Sequence, residues 1–518
     1  MSEYVDDVPY VRQFVSELSP TMLRLVAGSS GLAPPPGDDF DYCELGCGHG
    51  DTLCALAAAH PESRFLGVDL STAHIASAKR LARDGALENV GFLERDFGDL
   101  LEEDLGELDY VTAHGVLTWV SPEKRRQLIA FARQKLKPGG LLFVSYNAMP
   151  GWASVEPLRQ LLVSAPGGAP LTTEATTLER ARHGLAFAQA MQRAGADYFE
   201  KNPSAGRMLA TMDRVGLPYV VHEYFHEHWT PMYFARVAWE MSEQELSFVG
   251  ALPLFSNFPE TAISEDVARV FENITDRVTF ESFKDFATNQ FFRCDVFVKG
   301  SLPRSSEARR EATNAYLDAT PFGPSPHEAI QDTQVRLPHR TIDLAGPTFD
   351  ALRTALGEGG TTLDVLASRT KLDRDELRKA IHSMLVADRV VPLRASTRAA
   401  PATLEARYEL PSPYNQLMLR RLSSETPLVM ASSTAGTALP VSALDVLALR
   451  ALTEAGPAER AGWIRDLVGR SVMRLRVGDR VLDDREEQRA AIASAVTRLG
   501  AERLATLVDL GVLRRVAG

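Results

Sequence analysis

The chain has 518 residues and a mass of 56.8 kDa, which at about 150 residues per domain predicts three or four domains. Hydrophobic residues make up 45% of the chain and charged residues 24%, proportions that exclude disordered, collagen-like and fibrous classes. The net charge of −12 is uneven, because residues 301–518 hold 30 Lys and Arg against 27 Asp and Glu, and residues 1–300 hold 26 against 41; the acidic first part disfavours nucleic acid and favours basic partners.

The opening segment MSEYVDDVPY is acidic, where a secretory signal needs a basic region before an apolar one. The sequence also lacks a run of 18 apolar residues. Its cysteines, Cys43, Cys47, Cys54 and Cys294, follow neither a disulfide framework nor a zinc spacing. These features predict a cytoplasmic protein with reduced thiols, no membrane insertion and no metal site.

Short apolar strands alternate with amphipathic helices from residue 40 to about residue 146. The predicted strands are FDYCELG, RFLGVDL, VGFLERD, LDYVTAH and GGLLFVSYN, and helical stretches such as TAHIASAKRLARDG lie between them. Such alternation predicts a doubly wound, Rossmann-like α/β domain with a mainly parallel sheet.

The rest of the chain changes pattern three times. Residues 151–245 are predicted to form a helical insertion over the catalytic edge of the sheet, before two further strands end the first domain at residue 300. Residues 301–400 form a proline-rich linker followed by helix, helix, turn, helix and short strand, an order that predicts a winged-helix-like domain. Residues 401–518 are predicted to form a mainly helical C-terminal domain.

The strongest chemical signal is the segment Glu44-Leu45-Gly46-Cys47-Gly48-His49-Gly50, directly after the first strand and before a helix. Glycines at alternate positions allow a tight turn and close approach of the backbone to a ligand, and the following helix offers free N–H groups. Asp69 ends the second strand, where a carboxylate commonly binds ribose hydroxyls. Asp96 ends the third strand beside Phe97, a pair suited to an adenine. Each feature alone also fits a turn or a helix cap, but together they predict a nucleotide site.

The glycine spacing resembles the E-x-G-x-G-x-G signature of class I S-adenosylmethionine-dependent methyltransferases, rather than the G-x-G-x-x-G of dinucleotide dehydrogenases. LKPGGLLFVSYN, residues 136–147, is also similar to the segment that leads into strand five of that superfamily. The resemblance implies S-adenosylmethionine as the cofactor. The residues that it implies for cofactor binding are Glu44, Gly46, Gly48, Gly50, Asp69, Leu70, Asp96, Phe97 and His114.

A narrower resemblance extends over almost the whole chain. The segments VPYVRQFVSELSP, HGVLTWVSP, SYNAMPGW and HEYFHEHWTPMYF resemble bacterial methyltransferases with a methyltransferase regulatory domain, the group that includes the rickettsial outer-membrane-protein lysine methyltransferases. This resemblance implies a protein or peptide acceptor, with lysine Nε as the leading candidate.

Three residues are predicted to act in catalysis. His114 follows strand four and is interpreted either as a proton acceptor or as a ligand of the cofactor. Tyr146 and Asn147 end strand five and are expected to face the methyl donor. DNA and glutamine amino-methyltransferases of the class that this chain resembles carry an N/D-P-P-Y/F element after strand four. This chain has Ala113-His114-Gly115-Val116 there, which disfavours an amide or base-amine acceptor.

Five residues are predicted to contact the acceptor: Tyr10, Trp119, Trp152, His222 and Tyr224. The tryptophans fit either cavity walls or core packing, and the family resemblance suggests that Tyr10 closes over the cofactor. The segment HEYFHEH is dense in metal-ligand types, but two histidines at i and i+4 without a nearby third ligand do not indicate a metal.

Two alternatives to a protein methyltransferase remain open in the sequence. One is a small-molecule or peptide-carboxylate methyltransferase of a biosynthetic pathway. The other is a cofactor-sensing regulator that binds DNA through the winged helix, which is disfavoured because LDRDELRKAIHSMLVADR mixes acids with bases on the recognition helix. The sequence gives no indication of oligomeric state.

Overall fold

A computed structural model describes residues 12–165, 176–326, 328–398, 402–421, 427–470, 475–477 and 480–516. Tyr10, predicted to contact the acceptor, lies outside the described residues. Among the described helices, none combines the length and the apolar character needed to cross a membrane.

Seven strands form one sheet in the order β3-β2-β1-β4-β5-β7-β6. The strands are β1 (Asp41–Leu45), β2 (Arg64–Asp69), β3 (Val90–Glu94), β4 (Leu108–Ala113), β5 (Leu136–Asn147), β6 (Leu246–Leu252) and β7 (Phe292–Lys299). Strands β1 to β5 are parallel, whereas β7 is antiparallel to both β5 and β6. The predicted Rossmann-like α/β domain is therefore confirmed, and all seven predicted strands are present.

Helices cover both faces of the sheet, because alternate side chains of each strand point to opposite faces. Leu141 and Phe143 of β5 enter the core on one face of the sheet, whereas Leu142 and Val144 enter the core on the other face. The flanking helices are α1 (Pro20–Ser29), α2 (Asp51–Ala59), α3 (Thr72–Asp84), α4 (Phe97–Leu100), α5 (Pro122–Lys135) and α11 (Phe234–Ser242).

The predicted helical insertion lies between β5 and α11 and has a core of its own. Its helices are α6 (Glu156–Ser164), α7 (Thr177–Arg193), α8 (Asp197–Lys201), α9 (Pro203–Val215) and α10 (Leu217–Tyr224). Trp119 and Trp152 belong to this core, which joins the insertion to the carboxyl edge of the sheet. Between β6 and β7 lie α12 (Pro259–Ala262), α13 (Glu265–Val270) and α14 (Arg277–Thr288).

The region predicted to be winged-helix-like contains the three expected helices. Its elements are α15 (Ser306–Ala319), β8 (Phe322–Pro324), β9 (Gln334–Arg336), β10 (Thr341–Asp343), α16 (Pro347–Leu356), α17 (Leu363–Thr370), α18 (Arg374–Val386) and β11 (Val390–Pro392). The short strand β11 pairs antiparallel with β8, which precedes the helices.

The last region is mainly helical, as expected, with short paired strands. Its elements are β12 (Tyr408–Glu409), α19 (Pro413–Arg420), β13 (Val429–Ser432), β14 (Thr437–Pro440), α20 (Ala443–Glu454), α21 (Arg460–Arg470), β15 (Leu475–Val477), β16 (Arg480–Leu482), α22 (Arg485–Glu502), α23 (Leu504–Asp509) and β17 (Arg514–Arg515). The turn between β13 and β14 docks on the first domain, where the carbonyl oxygen of Gly436 accepts from Thr21 and lies 2.9 Å from Nε2 of His60. Helix α2 is thus held between the sheet and the C-terminal region.

Candidate active site

The turn between β1 and α2 has the left-handed backbone that its glycines allow. The φ angles of Gly46, Gly48 and Gly50 are +75°, +53° and +73°. A Cβ atom on Gly46 would lie 2.6 Å from Cγ2 of Val116, whereas a Cβ on Gly48 would meet nothing within 4 Å. The turn therefore presents open space at Gly48, and a ligand there could approach the backbone directly.

Carboxylates at the ends of β2 and β3 border the same cleft. Asp69 is fixed by the backbone N–H groups of Gly48 and Ser71, each donating over 2.9 Å. Asp96 caps α4 by accepting from the backbone N–H of Gly98 and also pairs with Lys124. We call this cleft the nucleotide cleft. It is lined by Gly46, Asp69, Leu70, Arg95, Asp96, Phe97, Val116, Trp119, Val120, Ser121, Lys124 and His228. This set of hydroxyl acceptors and apolar walls fits a nucleoside.

A buried carboxylate lies beneath the glycine turn. Glu44, at 5% exposure, has an Oε2 atom with no hydrogen-bond partner within the described residues. Burial raises the pKa of Glu44 from 4.5 to about 8, and the nearby carboxylates of Asp69 and Asp51 add to the increase. An unpaired buried carboxylate is costly, so the site favours a ligand that brings a cationic or hydrogen-bond-donating group.

A second cavity of about 500 Å³ adjoins this cleft and shares Trp119 with it. We call it the aromatic cavity. It is lined by Gln13, His114, Gly115, Trp119, Asn147, Trp152, Met208, Tyr219, His222, Glu223, His226, Phe291 and Phe292. Its walls come from the strand ends and from the helical insertion together.

Glu223 is the only carboxylate among the residues that line this cavity. Nδ2 of Asn147 donates to its Oε1 over 2.7 Å, and Nε1 of Trp119 donates to its backbone carbonyl over 3.1 Å. Burial raises the pKa of Glu223 from 4.5 to about 7, although the hydrogen bond from Asn147 acts in the opposite direction. Near neutral pH this group can therefore both attract a cation and accept a proton.

Two histidines of the cavity, His114 and His226, have pKa values that burial lowers. Oγ of Ser145 accepts from the backbone N–H of Gly115 and lies 2.9 Å from Nδ1 of His114, so its hydroxyl proton is available to His114. Burial lowers the pKa of His114, and it also lowers the pKa of His226 to about 4. Glu223 is consequently the residue of this cavity best placed to carry negative charge.

The structure brings most of the sequence-predicted residues to these two cavities. His114, Asn147, Trp119, Trp152 and His222 line the aromatic cavity. Gly46, Asp69, Leu70, Asp96 and Phe97 line the nucleotide cleft, with Glu44, Gly48 and Gly50 in and beneath its glycine turn. Gly50 packs so closely against Ala78 and Phe92 that a Cβ atom would not fit, so this glycine allows the helix and the strand to pack tightly.

The structure does not bring Tyr146 or Tyr224 into either lining. Tyr146 is fully buried on the opposite face of β5, and its hydroxyl donates to Oδ2 of Asp295 over 2.6 Å. The prediction that it faces the methyl donor is corrected for this reason. Tyr224 is 2% exposed and packs behind Trp152, with ring centroids 5.9 Å apart. Glu223 lies between His222 and Tyr224, which were predicted as acceptor contacts, but it was not itself predicted, because the sequence does not show that it meets Asn147.

Comparisons with known proteins give a consistent result. Residues 43–142 match the family described as "Methyltransferase domain", and residues 217–299 match the "Predicted methyltransferase regulatory domain". An uncharacterized protein of Synechocystis sp. is 28% identical over 516 residues, which span 98% of this chain and 99% of the relative. An uncharacterized protein of Rickettsia prowazekii is 31% identical over 230 residues, which span 44% of this chain and 90% of the relative.

Among solved structures, PKMT2 from Rickettsia typhi in complex with AdoHcy matches with a TM-score of 0.71 at 20% identity. The match covers 98% of this chain and 100% of that chain. The two proteins therefore share a fold over their whole described architecture, including the regions that follow the sheet.

Proposed function

Because the chain belongs to the class I S-adenosylmethionine-dependent methyltransferases that carry a methyltransferase regulatory domain, we propose that it methylates the Nε atom of lysine in a protein or peptide acceptor. The observation that carries the proposal is the half-buried carboxylate of Glu223 in an aromatic-walled cavity beside the nucleotide cleft. An ammonium group on an aliphatic side chain is the acceptor that such a cavity complements best.

The cleft fits S-adenosylmethionine group by group. The open backbone at Gly48 receives the methionine part, and the unpaired Oε2 of Glu44 complements its ammonium group. Asp69 is suited to the ribose hydroxyls, and Asp96 with Phe97 to the adenine. The cofactor, when bound, supplies a methyl group activated by a sulfonium. PKMT2 of R. typhi, which shares this fold, was solved in complex with AdoHcy, and this supports the choice of cofactor.

Glu223 addresses the main obstacle to methylating a lysine. A lysine side chain has a reference pKa of ~10.4, so forming its neutral amine at pH 7 costs about 4.6 kcal/mol. Glu223 attracts the ammonium group and accepts its proton, and the raised pKa of this carboxylate, about 7, makes that transfer less uphill. The aromatic walls that include Trp119 and Trp152 exclude water and so favour the neutral amine further.

The transfer itself is an in-line displacement. The lysine nitrogen forms a bond to the methyl carbon while the carbon–sulfur bond breaks and its electron pair stays on sulfur. Before this attack, the lysine ammonium group gives one proton to Glu223, so that its nitrogen has a free electron pair for the new bond. The protein contributes position, desolvation and charge, and no covalent intermediate with the chain is needed.

The same geometry bears on the two alternatives. A carboxylate acceptor would meet the negative charge of Glu223 and lacks a cationic partner among the cavity-lining residues. DNA binding through α18 is disfavoured, because Arg374 and Arg378 already pair with Asp318. The His382 ring of the same helix packs on Phe258, with centroids 4.6 Å apart.

Mass spectrometry tests the proposal. The purified chain is incubated with isotope-labelled S-adenosylmethionine and a mixture of lysine-containing proteins and peptides, with Asp69→Asn as the control that lacks the ribose ligand. We expect mass additions of one or more methyl groups on lysine side chains, lost in the control. Label found only as base-labile esters on carboxylates, or only on small molecules, would show that the proposed acceptor is wrong.

A further inference from the structure

Three cavities follow one another along the edge of the first domain. The aromatic cavity is the first. A middle cavity of about 180 Å³ follows, with Gln290, Cys294 and His339 among its lining residues. The third, which we call the interdomain cavity, has about 510 Å³ and lies between residues 16–25 of the first domain and residues 385–392 of the winged-helix-like region.

The three cavities are close neighbours. Phe292 lines the aromatic cavity and Cys294 lines the middle one, and these residues share one face of β7 at a separation of about 7 Å. Residues Leu252, Pro253 and Phe255 line both the middle and the interdomain cavities. The cavities are therefore adjacent along one side of the domain, and we call this row of cavities the groove.

Besides Glu223, the residues that line this groove include a second half-buried carboxylate, Glu17. Glu17 lines the interdomain cavity, is half-buried and accepts a hydrogen bond from Oγ of Ser16 over 3.1 Å. Within the described part of the chain it forms no ion pair. Its charge also reaches the ring of His114 and the thiol of Cys294, which belong to the other two cavities. Glu17 is thus placed between the aromatic cavity and the interdomain cavity.

We propose that this groove holds the acceptor polypeptide and that Glu17 binds a second basic side chain of the acceptor, two to four residues from the lysine that is methylated. The lower bound of this spacing comes from β7, where Phe292 of the aromatic cavity and Cys294, which the charge of Glu17 reaches, are separated by about 7 Å, the length of two extended residues. The inference rests on the proposed lysine acceptor. A basic acceptor also complements residues 1–300, which hold 41 acidic and 26 basic side chains.

Two other carboxylates line the interdomain cavity: Glu328 pairs with Arg389, and Asp388 accepts a hydrogen bond from Oγ of Ser325 over 3.5 Å. Arg389 pairs with Glu328 and Asp332, so its charge is already compensated. Arg336 lines the cavity but forms no ion pair with Glu17. Because residues of the winged-helix-like region form one wall, that region would help to recruit the acceptor rather than bind DNA.

Peptides that contain one lysine, with Arg, Ala or Glu at each position from −4 to +4, test the role of Glu17. Binding is measured by fluorescence anisotropy in the presence of S-adenosylhomocysteine, and methyl transfer is measured on the same peptides. For the wild type we expect a preference for arginine within two to four positions of the lysine. Glu17→Gln should remove that preference with an about two- to fivefold loss in affinity, and Glu17→Lys should reverse it towards glutamate.

The matched control is Glu88→Gln, at an exposed glutamate between α3 and β3. It should leave the arginine preference intact, and all variants should bind the cofactor as the wild type does. Equal peptide preferences in the wild type and Glu17→Gln would overturn the inference, even where lysines are methylated. A different outcome is that arginine-dependent binding is lost in Glu17→Gln while no lysine is methylated by any of the proteins. That result would support the role of Glu17 and refute the proposed function.

Discussion

Replacing Glu223 by Gln tests the proposed chemistry most sharply, because it removes a proton acceptor with little change in shape. The amide can keep the contact with Asn147, because its Oε1 atom can accept from Nδ2 of Asn147 as Oε1 of Glu223 does over 2.7 Å. In the wild type, the increase in the pKa of Glu223 from 4.5 to about 7, caused by burial, lowers the cost of proton transfer by about 3.4 kcal/mol. Gln accepts no proton, so the acceptor lysine must then arrive neutral.

The size of the defect follows from the neutral fraction of the amine. With a lysine pKa of ~10.4, about 1 in 2500 side chains is neutral at pH 7 and about 1 in 25 at pH 9. We therefore expect kcat/KM of Glu223→Gln to fall on the order of 10²–10³-fold at pH 7 and to recover most of that loss by pH 9. In the wild type, kcat/KM should rise with pH to an inflection near 7, the pKa that burial gives Glu223, and then level off.

Initial rates with a lysine peptide across pH 6 to 9.5 measure both profiles. Glu227→Gln, four residues further along the chain and exposed, is the matched control and should behave as the wild type. Cofactor affinity and melting temperature should be similar in all three proteins. Parallel pH profiles of the wild type and Glu223→Gln, or a wild-type rate that rises steadily to pH 9.5 without an inflection near 7, would refute the role of Glu223.

Four further substitutions test the cleft and the core. Because burial raises the pKa of Glu44 from 4.5 to about 8, this group is protonated more readily in the folded than in the unfolded chain, and the ligand-free protein should lose stability as pH rises from about 5 to 8. In Glu44→Gln, stability measured by urea unfolding should decline less with pH, and calorimetry should show cofactor binding weakened at least tenfold. An unchanged decline of stability with pH would contradict the raised pKa of Glu44 as its cause. Gly46→Ala should lower stability more than Gly48→Ala, because only the Cβ atom at position 46 would lie 2.6 Å from Cγ2 of Val116. Equal melting temperatures of the two variants would refute this difference. Gly48→Ala should still weaken cofactor binding. Tyr146→Phe should destabilise the fold by about 1–3 kcal/mol, because Asp295 loses a buried donor, and should leave kcat within a few-fold of the wild type; a hundredfold loss of kcat would restore a catalytic role to this tyrosine.

The first domain could be predicted closely from the sequence, because its signals are local. Short apolar runs between amphipathic helices located the strands, and the glycines at 46, 48 and 50 fix the turn by their positive φ angles. Serine caps also mark helix starts, since Ser71 and Ser121 accept from the backbone N–H groups of His74 and Lys124.

The acceptor side of the site depends on contacts that are distant in sequence, and there the prediction was incomplete. Tyr146 and Asn147 are adjacent, but strand alternation directs Asn147 to the aromatic cavity and Tyr146 to the opposite core. Glu223 gains its importance from Asn147, a residue 76 positions away. The groove beside Glu17 likewise exists only because the winged-helix-like region packs against residues 16–25. Periodicity carries no information about either arrangement.

The most direct test of the account is a crystal structure of the chain with S-adenosylhomocysteine and a lysine peptide. We expect the cofactor along the glycine turn, with its sulfur directed at the aromatic cavity, and the lysine Nζ within hydrogen-bond distance of a Glu223 carboxylate oxygen. A lysine side chain bound elsewhere while the aromatic cavity stays empty, or a cofactor sulfur directed away from Glu223, would contradict it.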